Sequence, residues 1–146
     1  MSGFREDTGQ TALWLSVKHG SICEESKRER EGFQPIQIFV QRTGETITKF
    51  IKRYKSIEGF ITKIEYRESE FEGVKFNSWK IHVVDDEGTL GILDLLLNSN
   101  PGTRFMKLAE NLDFTKTVEF RAWHDQKDDK TAFVVCQNGQ SVKQKY

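Results

Sequence analysis

The sequence is poor in cysteine and proline and contains no long apolar run. Its 146 residues include 2 cysteines and 2 prolines. Cys23 and Cys136 are too few for a disulfide framework or a paired zinc motif, so we expect two reduced thiols. The longest apolar runs are far shorter than a membrane-spanning helix, and the N-terminus lacks the apolar segment of a signal peptide. These absences predict a soluble cytoplasmic protein, in the host cytoplasm if the protein is viral.

Net charge is also absent, because 22 Lys and Arg residues balance 22 Asp and Glu residues. This excludes a uniformly basic coat for nucleic acid, so any basic surface must be local. Aromatic residues make up 12% of the chain, with 11 Phe, 3 Trp and 3 Tyr, which excludes disorder throughout. The length suits one domain with its own core. We predict a single domain over 1–146, comprising a two-stranded N-terminal extension (1–45), a barrel core (46–137) and a C-terminal edge strand (138–146).

Apolar residues mostly recur with the two-residue period of β-strands. Strands are predicted at 11–18 and 36–40, paired with each other, and the charged run 24–31 is predicted as a loop or short helix. The segments 47–54 and 57–67 form one long strand or two linked strands. Gly59 is the natural bend point. Further elements are predicted as strands at 76–84, 89–97, 118–124 and 131–137, and as a helix that begins at Asn100 and Pro101.

This order of elements is typical of a known barrel. A long bent strand, two strands, a helix and two more strands match a five-stranded OB-like Greek-key barrel with its helix between strands three and four. A generic antiparallel α+β sheet is the alternative. OB folds have many functions, so the fold alone assigns none. They often bind single-stranded nucleic acid or oligosaccharide on the face of strands two and three and in the flanking loops.

The most informative segment is KFIKRYK at 49–55, which contains no acid. Cations bind phosphates and aromatic rings stack on bases, so a groove for a single strand needs both in alternation. Phe50, Lys52 and Tyr54 share one strand face. The alternative is a solvated edge strand whose lysines prevent self-association. The candidate nucleic-acid-binding residues here are Lys49, Phe50, Lys52, Arg53, Tyr54 and Lys55.

Later strands supply further candidates. Phe76 and Lys80 share one face, whereas Trp79 lies on the opposite, core face. Arg121 and Trp123 point outward as a stacking platform, with packing of Trp123 beneath the N-terminal extension as the alternative. The candidate set is completed by Tyr66 and Arg67, at the end of the long strand.

The sequence contains no pattern that supports catalysis, metal binding or a cofactor. The acids at 85–87 fit a charged hairpin tip, because no second ligand cluster joins them. His19 and Cys23 have a ligand-like spacing but no partner pair. Cys136 lies in an apolar strand and is predicted to be an inert core thiol. Since no phosphate loop, dinucleotide fingerprint, nucleophile elbow or HExxH helix occurs, we predict no enzyme.

Short phrases spread over residues 17–146 carry a family resemblance. They are VKHGSIC (17–23), ITKFIKRY (47–54) leading into IEG (57–59), KLAEN (107–111) and AWH (122–124). With these phrases the chain resembles the OB-fold single-stranded DNA-binding proteins of tailed bacteriophages, including phages of Bacteroides-type hosts. The resemblance implies cooperative, sequence-independent coating of single-stranded DNA in phage replication or recombination. It places binding on the face of 49–55 with Phe76, Lys80, Arg121 and Trp123.

The C-terminus departs from this family. Such proteins usually end in a flexible acidic tail that recruits replication partners, whereas this sequence ends in the basic VKQKY (142–146). Either the protein lacks the tail or the tail was removed. We expect removal, with replication or recombination proteins as partners through the tail, and we leave a homo-oligomer open. The alternative function is a scaffold module, such as a virion or replisome adaptor, that does not bind nucleic acid.

Overall fold

The computed structural model describes residues 12–143, apart from the side chain of Phe71. Strands dominate these residues, which also contain one α-helix, α1 (Asn100–Leu108), and one 3-10 turn (Ala109–Asn111). The strands are β1 (Leu13–Lys18), β2 (Ser21–Ser26), β3 (Gln34–Val40), β4 (Glu45–Tyr54), β5 (Ser56–Phe71), β6 (Val74–Val84), β7 (Leu90–Leu96), β8 (Val118–Asp125), β9 (Lys130–Gln137) and β10 (Gln140–Ser141). Of the predicted last strand, 144–146 lie outside the described residues. Across 12–143, no helix combines the length and the apolar character needed to cross a bilayer.

The strands form one open mixed sheet rather than a small barrel. Its ten strands follow the order β10-β9-β8-β5-β6-β7-β1-β2-β4-β3. β1 and β7 run parallel, and the other neighbouring pairs among the described strands are antiparallel. The predicted mainly β class is confirmed, but the predicted five-stranded OB-like barrel is wrong.

The position of β1 explains why the sheet does not close into a five-stranded barrel. In a five-stranded barrel the outer edge of β7 would pair with the last strand. Here β1 pairs with this edge instead, from Leu13 opposite Gly91 to Ser16 opposite Asp94. Leu15 of β1 is buried in the core. β1 therefore belongs to the central sheet and is not a peripheral extension. Its alternating sequence predicts a strand, but a parallel partner far along the chain leaves no local signal.

The N-terminal strands also pair differently from the prediction. β1 and β3 do not pair with each other, because β2 and β4 lie between them in the sheet. β2 includes Glu24 and Glu25, although the run of charges at 24–31 predicts a loop or short helix there. The hydroxyl of Tyr54 donates a 2.8 Å hydrogen bond to Glu24, and the Lys18 ammonium lies 2.6 Å from Glu25. Because both carboxylates have partners on adjacent strands, the acids do not interrupt the sheet.

The predicted long strand is two strands that lie far apart in the sheet. Lys55 separates β4 from β5, and β6, β7, β1 and β2 lie between them. β5 itself bends at Gly59, since it pairs with β8 up to this residue and with β6 from Phe60 onward. A Cβ at position 59 would lie 2.4 Å from the Val84 carbonyl oxygen. The bend prediction is confirmed, with a register irregularity between Ile61 and Lys63.

The helix begins where the sequence predicts and closes part of the core. Ser99 is the N-cap, and its hydroxyl accepts a 3.1 Å hydrogen bond from the Gly102 N–H. Phe105 is buried, with its ring centroid 6.4 Å from that of Phe120. Phe120 stacks at 6.0 Å on Phe133. Each such ring stabilises the fold by about 1.5–3 kcal/mol through burial.

Candidate nucleic-acid interface

The basic segment of β4 does not form a single cationic face. Strand alternation places Lys49 and Arg53 on one face and Lys52 on the other. The Lys49 ammonium lies 3.6 Å from Glu25, and the Lys52 ammonium lies over the Tyr54 ring, 5.5 Å from its centroid. Phe50, Lys52 and Tyr54 therefore share one face as predicted, but Lys49 and Arg53 lie on the other face and do not add to it.

Tyr54 is a structural residue on its strand. Its hydroxyl is bound to the buried Glu24, and burial together with this hydrogen bond raises the pKa of the hydroxyl. The phenol therefore remains a hydrogen-bond donor at neutral pH. Phe50 is half-buried at the other end of the β2–β4 pairing, opposite Ser26.

The candidates on β5 and β6 mostly have partners already. Arg67 lies 3.2 Å from Glu65, and the Lys80 ammonium lies 2.6 Å from Asp94. Tyr66 packs edge-to-face on Trp79, with 5.8 Å between ring centroids. Phe76, the remaining candidate of these strands, is exposed. These candidates are divided between the two faces of β5 and β6, and the two cations among them, Arg67 and Lys80, are already paired with carboxylates.

Another group of candidates does come together, where β8 meets the ends of β2 and β4. We call this site the Trp123 cleft; it has a volume of about 540 Å³. The indole of Trp123 is half-exposed beside it. Its lining residues are Gly20, Ser21, Arg53, Tyr54, Lys55, Arg121, Ala122, Trp123 and His124. No carboxylate is among these described lining residues, so the cleft combines cations with an accessible ring.

The cations of the Trp123 cleft differ in how strongly they are held. Arg53 donates a hydrogen bond to the His19 carbonyl oxygen. Arg121 lies 2.7 Å from Glu119, and this hydrogen bond raises the pKa of the guanidinium. Lys55 is exposed and forms no ion pair with another described residue. Lys55 is therefore the cation of this cleft that is free to bind a phosphate.

A second cleft adjoins the first one, and Trp123 is the one sequence-predicted candidate among its described lining residues. It lies between α1 and β9, has a volume of about 510 Å³, and shares Trp123 with the first cleft. We call it the helix cleft. Its cationic lining residues are Arg104, Lys107 and Lys130. The only sequence signal was the spacing of Arg104 and Lys107 beside the apolar stripe of the predicted helix, which places both on one helix side.

The described residues contain no group of three or more His, Cys, Asp or Glu side chains that could hold a metal ion. Cys23 and Cys136 are both free and buried, and burial raises the pKa of the Cys23 thiol. The Cys23 thiol is therefore a poor nucleophile. No protein-family profile matches this sequence, and neither a curated protein nor a solved structure shows significant similarity to it.

Proposed function

We propose that this chain binds single-stranded DNA without sequence preference, at the Trp123 cleft and without catalysis. The observation that carries the proposal is the half-exposed Trp123 ring in a cleft that Arg53, Lys55 and Arg121 line without a carboxylate. Unpaired bases expose their faces to an aromatic ring, and phosphates bind the surrounding cations. Bases in a duplex are stacked on each other, so they do not offer the same contact.

The zero net charge supports a local interface. A protein with a basic coat binds any polyanion, whereas a neutral protein attracts DNA only where cations are concentrated. The expected affinity therefore depends on few phosphate contacts, and it falls with salt along a shallow slope of about 0.7 per contact for a single strand.

A pair of tryptophan variants tests the proposal. Trp123→Ala is expected to weaken binding of an oligothymidylate by about 1–3 kcal/mol for a stacked base, which is about 5- to 150-fold. Trp14→Ala is the matched control, because Trp14 is exposed to a similar degree, at 55% against 49%, but lies outside both clefts. Binding is measured by fluorescence anisotropy of a labelled oligomer at low salt, with a duplex of equal length as competitor.

The result that contradicts the proposal is equally clear. If the parent protein does not bind the oligothymidylate at low salt, or if the two tryptophan variants bind it equally well, Trp123 is not a stacking site. Preference for the duplex would also reject a single-strand interface.

The alternative function, a scaffold module, rests on a different observation. β3 is one of the two edge strands of the sheet, its sequence QPIQIFV contains no charge, and Phe39 is 61% exposed. Edge strands are usually protected by charged residues, so an uncharged edge suits pairing with another chain. Light scattering with and without oligonucleotide separates the two functions, since a scaffold module forms a stable complex that is indifferent to DNA.

A further inference from the structure

The helix cleft is continuous with the proposed binding site through one side chain. Trp123 lines both clefts. On β8 its backbone pairs with Ala132 of β9, and Ala132 also lines the helix cleft. A ligand that stacks on Trp123 therefore has direct access to the space between α1 and β9.

The cationic side chains of the helix cleft are available to a ligand. Arg104 and Lys107 form no ion pair with another residue in the described part of the chain. They lie three residues apart on α1, so they project from the same side of the helix. The neighbouring Phe105 and Leu108 are buried in the core, which directs the cations away from it.

Carboxylates only partly neutralise this cleft. Asp125 is the acid among its described lining residues, and its carboxylate already accepts a 3.0 Å hydrogen bond from the Lys127 N–H. Lys130 lies 3.8 Å from the exposed Asp128, a separation at which a surface ion pair contributes little. Arg104, Lys107 and Lys130 therefore leave a net positive charge in the cleft.

The apolar side chains of the helix cleft come from β9. Ala132 and Val134 are partly exposed on one strand face, whereas Phe133 is buried on the opposite face, where it stacks on Phe120 at 6.0 Å between ring centroids. Apolar side chains beside cations suit a nucleotide chain, because bases lie against the apolar side chains while phosphates bind the cations.

We propose that the helix cleft is a second subsite, which binds the nucleotides that follow the base stacked on Trp123 in a single strand of DNA. This inference rests on the proposed function of the Trp123 cleft. It extends the binding surface from β4 and β8 across β9 to α1. The subsite binds strands that are long enough to reach beyond Trp123 and contributes nothing to shorter ones.

The dependence on strand length tests the subsite. The variant Arg104→Gln with Lys107→Gln is compared with the parent on labelled oligothymidylates of about four and about twelve nucleotides, within the range of site sizes for single-strand binders. We expect the longer oligomer to bind about tenfold more weakly and its salt dependence to fall by about 0.7 per lost contact. Binding of the shorter oligomer stays within about twofold of the parent. Lys130→Gln, on β9, is expected to act in the same direction.

The matched control is Arg28→Gln with Lys75→Gln, which also removes one arginine and one lysine. Both residues are exposed and lie outside the two clefts. This variant is expected to bind both oligomers as the parent does. Circular dichroism and thermal unfolding of each variant check that the fold is unchanged.

Every other outcome overturns the inference, and the pattern of binding shows whether the subsite alone or the whole proposed function fails. Equal weakening of the short and long oligomers by Arg104→Gln with Lys107→Gln shows a general electrostatic effect and rejects the subsite. No weakening of either oligomer, while Trp123→Ala still weakens both, rejects the subsite and leaves the Trp123 cleft standing. If the parent protein binds neither oligomer, the proposed function fails and the subsite fails with it.

Discussion

Gly20 lies directly against the side chain of His124 and so joins the turn between β1 and β2 to strand β8. Gly20 has a φ angle of +75°, and a Cβ at this position would lie 2.9 Å from the His124 Cβ. Its N–H donates a 2.8 Å hydrogen bond to the Thr131 hydroxyl on β9. Gly20 and His124 both line the Trp123 cleft, together with Arg53 and Trp123, which belong to distant strands.

The variant Gly20→Ala is expected to destabilise the protein by about 2–4 kcal/mol, since it adds a left-handed backbone cost to a steric clash. Gly44→Ala is the control, because Gly44 has a φ angle of +70° and no atom within 4 Å of the added Cβ. It is expected to cost only about 1–2 kcal/mol. Urea denaturation measures both free energies of unfolding. If both variants lose the same free energy of unfolding, the His124 side chain moves away from the added methyl group without an energetic cost.

The bend of β5 predicts a second pair of glycine variants. Gly59→Ala places a Cβ 2.4 Å from the Val84 carbonyl oxygen, which the sheet holds in place. Gly91→Ala brings its Cβ 3.2 Å from a methyl group at the end of the Leu15 side chain, which can move. We expect Gly59→Ala to lower the free energy of unfolding by at least about 3 kcal/mol and Gly91→Ala by about 1 kcal/mol. Thermal unfolding compares the stabilities of the two variants. A larger loss of stability for Gly91→Ala would contradict the close approach of β5 to Val84 of β6.

Glu65 predicts a pH dependence of stability on the acid side. The hydrogen bond and charge of Lys63, with further contributions from Arg67 and His82, lower the pKa of Glu65 from 4.5 to about 2. Because the pKa is lower in the folded state, the contribution of Glu65 to stability is present above pH 4.5. It is lost as the pH falls from 4.5 towards about 2.

The variant Glu65→Gln is therefore expected to lose less stability than the parent between these pH values. Urea midpoints at pH values above and within this window measure the difference. Glu68→Gln is the control, because Glu68 is exposed on the same strand and forms no ion pair with another described residue. If Glu65→Gln shows the same acid dependence as the parent, the ion pairs around Glu65 do not persist in solution.

Part of the candidate site follows from local pattern. On β8, Trp123 is exposed as predicted, and the residues that alternate with Arg121 and Trp123, namely Val118, Phe120 and Ala122, are all buried. Alternation along one strand is sufficient for this assignment, because successive side chains point to opposite faces of a sheet. Whether Trp123 binds a base stays a prediction.

The rest of the site depends on partners that no local pattern identifies. Lys80 was a candidate, but Asp94 of the neighbouring strand β7 pairs with it. Lys107, which was not a candidate, lines the helix cleft because α1 lies beside β9. The charge of a residue is read from the sequence, whereas its neutralisation depends on the strand or helix beside it.

Local sequence patterns are enough to predict the strand alternation of β6 and β8, the bend at Gly59 and the start of α1 near Pro101. These depend on side-chain period, glycine geometry and capping, which act over a few residues. No local pattern, however, predicts that β1 pairs in parallel with β7, that the sheet stays open or that Trp123 lies between two cationic clefts. Those features depend on which distant edges pair and bury apolar surface together, and this burial is a property of the whole chain.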